Sequence, residues 1–312
     1  MAVAGTAARP LPPETVYLPF ETGPYRMTLG LTTVPETAWF EIDRLYPAEM
    51  AERRQLLAER HADVFAAEPV SLAARAETLR MVSASLCRHH PGWFSLDSRQ
   101  LRNGLTGETW DLAHPPCDPL ELAGRLVQED LCLVQMAEAG PVFTAGVLCF
   151  PSRWRLREKI GRQLAEVHGP VPLYANRLAR PVDRFMEHVK AGPIASRLNW
   201  SVVDDPALFQ PAGKWRVDGN PAVTAANAGQ MLWLRVERQT LRRLPETGAV
   251  LFGIRVHGYR LDAAIDTPDR AAGLAAAVRA LPEETARYKS LPAFQAALLG
   301  WLDGRADAVA PA

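Results

Sequence analysis

Hydrophobic and polar positions fall into two textures along the chain. Residues 47–60, PAEMAERRQLLAER, open with a proline at a helix start and continue in strong helix formers, and residues 70–88 share the habit. They predict an N-terminal helical section running to about residue 125. Beyond it the apolar runs shorten. LCLVQMA (131–137) and VFTAGVLCF (142–150) are separated by Glu-Ala-Gly and a proline, the pattern of a hairpin. Two helical segments are predicted next, over 155–168 and about 181–190, then strands over 196–203, 231–240 and 249–257. LPETG turns the last two strands into a hairpin. A Pro-, Gly- and Asn-rich connection fills 204–229, long enough to be either functional or mobile. Ala/Leu-rich helices close the chain from residue 267.

Two hairpin strands, a helical crossover and three more strands predict an α+β protein. Its centre is a PAS-like five-stranded antiparallel sheet with crossover helices, flanked by N- and C-terminal helices. The expected sections are 1–125 (tail and helices), 126–262 (the sheet core) and 263–312 (closing helices), forming one compact unit. In folds of this kind small ligands sit between the sheet and the crossover. Order alone is shared by many α+β domains.

Strand parity says more. In 231–240, Leu232, Leu234 and Val236 share one face with Arg238, while Trp233, Arg235, Glu237 and Gln239 share the other. In 196–203, Arg197, Asn199 and Ser201 lie opposite Leu198, Trp200 and Val202. A charge on an apolar face must be paired or must hold a charged ligand. His257 shares parity with Arg255, a pair expected to face outward.

Composition narrows the function classes. The 312 residues are 48% hydrophobic and 22% charged with zero net charge, which argues against non-specific binding to nucleic acid or acidic membranes. No stretch of 18 or more apolar residues predicts a membrane span, and MAVAGTAARPLPPET reads as a loose tail, not a signal peptide. Cys87, Cys117, Cys132 and Cys149 form no C-x-x-C pair, so a reduced, cytoplasmic protein is expected. Only four of the 35 basic residues are lysine, a bias attributable to the coding genome. Phosphate loops, the dinucleotide fingerprint, the nucleophile elbow and H-E-x-x-H are all missing. CRHHP (Cys87, His89, His90) carries metal donors but lacks a second half at zinc-site spacing.

The stretch LAEVHGPVP (164–172) is the strongest local signal. On a helix, Ile160, Leu164, Val167 and His168 share one side, and Gly169-Pro170 stops the helix at once. His168 is then either a core histidine bonded to a backbone carbonyl or a ligand aimed into a pocket. His188 sits beside an apolar helix face, and His61 and His114 read as surface residues. Cys149 is the cysteine nearest the expected pocket and suits packing better than thiolate ligation.

CFPSRWRLREKIGRQLAEVHGPVP, DRF, RLNWSV and LRVERQTLRRLPETGAVLFGIR together resemble the α-subunit family of haem-dependent oxidative N-demethylases, from WFEIDRLY (39–46) through residue 260. The resemblance implies a PAS-type subunit holding haem b (heme b) and demethylating a small secondary amine such as dimethylamine. It makes His168 the axial iron ligand, gives Arg197, Arg238 and Lys159 to cofactor binding or pocket electrostatics, and offers Glu237 and Asn199 as residues for the amine. Trp154 and Gln239 belong to the same motifs. Because Glu237 and Arg238 differ in parity, they do not easily line one pocket face. Electrons would come from a separate reductase bearing FMN and a [2Fe–2S] cluster and using NADPH, and a folate-binding subunit could accept formaldehyde. Two competing readings are a haem sensor or carrier without turnover and a haem-free PAS-like binding domain. The short helices after residue 260 leave little room for a sensor's output domain, which favours the enzyme.

Overall fold

A computed structural model describes residues 10–20 and 22–308. Ten strands occur among them: β1 (Thr32–Val34), β2 (Phe65–Ala67), β3 (Phe94–Asp97), β4 (Gln100–Asn103), β5 (Thr109–Asp111), β6 (Asp130–Ala137), β7 (Gly140–Val147), β8 (Ile194–Val203), β9 (Trp233–Arg243) and β10 (Val250–Arg260). Seven form one antiparallel sheet in the order β1-β8-β9-β10-β6-β7-β2. The five expected strands are its inner members, but the sheet is not five-stranded. β1 and β2 extend its two edges, each only three residues long and so too short to show a period of two. The section before residue 125 is not all helical either, since β3-β4-β5 form a second sheet there.

Both faces of the large sheet are covered, so β9 is buried on alternate and intervening residues alike. One face meets the helix Tyr46–Glu59 and, toward the far end of β9 and β10, the closing helices Pro268–Ala280 and Gln295–Ala306, where Leu234, Val236 and Tyr259 join Leu274, Val278 and Leu298 in one apolar cluster. The other face meets the crossover between β7 and β8. Directly paired strand residues share a face, so the registers Asn199↔Glu237, Arg197↔Gln239, Ile254↔Gln239 and Phe252↔Cys132 put all of these side chains on the crossover face.

The crossover departs from the expected single helix over 155–168. A 3-10 turn at Leu156–Glu158 and a one-turn helix at Leu164–Val167 are separated by Gly161, whose φ of 75° is the left-handed conformation that glycine adopts without strain. Ile160 therefore lies outside the turn that carries His168. The helix expected near 181–190 forms as Ala179–His188. No helix among the described residues is long and apolar enough to cross a membrane.

Candidate functional site

Between the crossover and the sheet lies a cavity of about 1200 Å³. That exceeds the roughly 300–1,000 Å³ of a typical small-ligand pocket, so it has room for a large planar group and a small molecule together. Its apolar part is floored by Val134, Phe143, Leu241, Phe252 and Ile254 and roofed by Val182, Phe185 and Met186.

His168 caps the Leu164–Val167 turn, and its ring borders this cavity. Nδ1 lies 2.9 Å from the Leu164 carbonyl oxygen, an acceptor, so Nδ1 carries the hydrogen and Nε2 keeps its lone pair. The ring stacks on Tyr174, with centroids 4.6 Å apart and planes 14° from parallel. Burial first, then the charges of Lys159, Arg197 and Lys214, lower its pKa to about 4 against the pull of the Leu164 bond. His168 is thus a neutral imidazole of fixed tautomer with an unengaged Nε2 toward the cavity. Metal-ligating histidines are held in this way, the second ring nitrogen anchored to a carbonyl.

A polar row crosses the same sheet face. Asn199 Nδ2 and Gln239 Nε2 donate to Glu237 Oε2 at 3.2 and 2.8 Å, and Arg197 Nη1 donates to Gln239 Oε1 at 3.2 Å. Burial alone would raise the Glu237 pKa. Hydrogen bonds from Ser152 and Asn199, the Arg235 charge and the Gln239 bond more than offset it, so the carboxyl is held ionised. Arg235 is engaged by the Ser152 hydroxyl and the carbonyls of Phe150, Pro151, Ala207 and Leu208. Lys159 Nζ donates to the Val167 carbonyl beside His168 and sits 5.1 Å from the Trp154 ring centroid. Burial first, then the neighbouring Lys214 charge, lower its pKa to about 8.

Of the six site residues expected from sequence, five converge on the cavity: His168, Lys159, Arg197, Asn199 and Glu237. Arg238 touches its margin, but its guanidinium belongs to the opposite face of β9. There it donates to the Ala38 and Trp39 carbonyls and pairs with Glu41 at 3.5 Å. A model of the family described as haem-dependent oxidative N-demethylase, alpha subunit-like, matches residues 30–299. The chain belongs to that family.

The words alpha subunit in the family description imply further subunits. Haem is the cofactor that the description names, and the residues present fit it: an unengaged imidazole nitrogen, an apolar slot and nearby cations for propionates. Among the described residues, no three or more His, Cys, Asp or Glu side chains cluster to hold a bare metal ion, CRHHP included. His188 is exposed, and its Nδ1 lies 2.9 Å from the Arg184 carbonyl. Cys149 lies beyond the end of β7, not within it, and is buried.

Sequence reasoning missed the outer wall of the cavity. Lys214 comes from the 204–229 connection, and Tyr288 and Lys289 come from the end and the C-cap of the short helix Glu283–Tyr288. The one available signal was composition. Three of the four lysines in the chain line this cavity, and the fourth, Lys190, is exposed.

Proposed function

We propose that this chain is the haem-binding, oxygen-activating subunit of an oxidative N-demethylase acting on a small secondary amine. The observation that carries the reading is His168: a neutral imidazole bordering the cavity, with Nδ1 on the Leu164 carbonyl and Nε2 free of any hydrogen bond among the described residues. The inner five strands with a helical crossover between β7 and β8 support a PAS-type core for it.

Haem b, when bound, supplies the redox-active iron that O₂ chemistry needs. His168 would hold its iron through Nε2. Arg197 and Lys159, two of the three cations that act on His168, would neutralise propionate charge. Glu237, held ionised by Ser152 and Asn199, attracts the substrate ammonium, and Asn199 fixes the carboxylate's rotamer. Arg238 serves the fold of the opposite face. The balance takes a secondary N-methylamine, O₂, two electrons and two protons to the primary amine, formaldehyde and water. The electrons come from a reductase subunit carrying FMN and [2Fe–2S] and oxidising NADPH, and a folate-binding subunit takes up the formaldehyde.

The test is an absorption spectrum of haem-supplied protein, wild type against His168→Ala, with circular dichroism to confirm folding. A Soret band that shifts or disappears in the variant is expected. No Soret band in the folded wild type overturns the reading, and a band untouched by the substitution removes His168 from the iron.

A further inference from the structure

The cavity holds more positive charge than a haem and a simple alkylammonium can use. Lys159, Lys214, Lys289 and Arg197 all border it, all are partly buried, and none is in an ion pair with a carboxylate among the described residues. Their bonds go to neutral groups. Lys159 donates to the Val167 carbonyl, Lys214 to the Tyr288 hydroxyl at 2.8 Å, Lys289 to the Trp200 carbonyl and Arg197 to the Gln239 amide oxygen. Arg197 Nε has no hydrogen-bond partner among the described residues. The other buried cations nearby are accounted for: Arg153 pairs with Asp204, Arg238 pairs with Glu41, and Arg235 is held by one hydroxyl and four carbonyls. Among the described residues the cavity carboxylates are Glu237 and Glu41, and Glu41 is already engaged by Arg238 and His257, which leaves Glu237 alone against four cations.

The four divide by position. His168 feels Lys159, Arg197 and Lys214, but Lys289 is not among the charges that act on it. Lys289 instead feels Glu237, Arg197 and Lys214, and Tyr288 beside it also feels Glu237. Lys159 therefore marks the cofactor end and Lys289 the Glu237 end, while Arg197 and Lys214, which act on both His168 and Lys289, lie between them. Lys289 and Lys214 both have Glu237 as their foremost neighbouring charge, so both stand around it. A bare dialkylammonium in that place would meet one carboxylate and two desolvated ammonium groups, and like charges in a cavity of low dielectric repel strongly. An amine that brings its own anion fits the site.

We infer that the substrate is a methylamine bearing a carboxylate, its ammonium on Glu237 and its carboxylate between Lys214 and Lys289. N-methylglycine is the smallest molecule of this class. The inference rests on the proposed function for the amine end of the site; the carboxylate end rests on the lysines alone. It also gives a reason for the helix Glu283–Tyr288 and the 204–229 connection to reach the cavity, since they deliver the two lysines and the Tyr288 hydroxyl that fixes one of them.

The experiment compares N-methylglycine with dimethylamine on the full chain, by calorimetry without haem and by perturbation of the Soret band with it. N-methylglycine is expected to bind at least about tenfold more tightly, the range for a hydrogen bond to a charged group. Lys289→Met should abolish that preference and Lys289→Arg should restore most of it, with thermal melts confirming that both variants fold. Lys214→Met should reduce the preference in the same direction. Dimethylamine binding as tightly as N-methylglycine overturns the inference. So does a Lys289→Met variant that keeps the preference but loses haem affinity, because Lys289 would then serve a propionate. Absence of any Soret band is a different failure: it removes the haem reading, while calorimetry still decides the carboxylate preference.

Discussion

The two faces of β9 carry similar numbers of buried charges and use them in opposite ways. On the face toward the helix Tyr46–Glu59, Arg255 is bound by Asp43 at 2.9 Å and Glu49 at 2.7 Å, Arg238 by Glu41, and His257 Nε2 lies 3.0 Å from the other oxygen of Glu41. Gln128 Nε2 donates to both Asp43 and Glu49, closing the network. On the crossover face the lysines and Arg197 find only neutral acceptors among the described residues. Paired buried charge holds a fold in register, whereas unpaired buried charge costs stability and is kept for something that binds. Burial differs in degree, near complete for Arg255, Arg238 and His257 on the paired face and partial for the lysines and Arg197, but the decisive difference is the carboxylate partner.

The largest effect that sharpens this contrast is on the paired face. Arg255 is fully buried between its two carboxylates. Arg255→Met keeps most of its volume and leaves Asp43 and Glu49 buried without their cation. It should lower unfolding stability by about 3–5 kcal/mol, read from denaturant midpoints. Adding Asp43→Asn and Glu49→Gln removes the orphaned charges and should recover part of the loss. A single variant within about 1 kcal/mol of wild type would erase the distinction between the faces.

A smaller effect of opposite sign on each face comes from pH. Glu129, on the paired side, accepts from the Glu41 amide through Oε1, but its Oε2 has no partner. Burial, opposed by Arg255, raises its pKa from 4.5 to about 7. The native chain then binds more protons than the unfolded one between these values, so this group's contribution is full below about 4.5 and is lost as pH rises to about 7. His168 runs the other way. Its pKa falls from 6.5 to about 4, so its contribution is full above about 6.5 and is lost as pH falls to about 4. Each is worth about 3 kcal/mol. Relative to wild type, Glu129→Gln should gain stability as pH rises through its window, and His168→Ala should lose stability as pH rises through its own. Variant profiles parallel to wild type would break the comparison.

The period-two pattern made the inner five strands and the Glu237–Asn199–Arg197 row legible, because register follows from alternation once a face is buried. The same pattern misplaced His257 and Arg255. They were expected to face outward, yet they are 2% and 0% exposed. Alternating charge looks alike whether it meets water or Asp43 and Glu49, which lie more than 200 positions away in sequence. Gly161 broke the expected helix by a left-handed residue that apolar spacing does not register. The lysine wall was illegible for a related reason: Lys159, Lys214 and Lys289 are brought together only by the tertiary fold.

The smallest effect is the most discriminating, because it tests the crossover face on its own terms. Lys159 loses hydration and gains one carbonyl bond and the Trp154 ring, and its pKa drops from 10.5 to about 8, chiefly through burial. A cation kept for packing would resist replacement. A cation kept for an absent anion would not, since methionine fills similar space with no charge to desolvate. Lys159→Met should therefore leave the stability of the haem-free chain unchanged or raise it by up to about 1 kcal/mol, while weakening haem retention in the Soret titration. A loss approaching that of Arg255→Met would mean that Lys159 belongs to the architecture, and the charge on the crossover face would have to be read as structural after all.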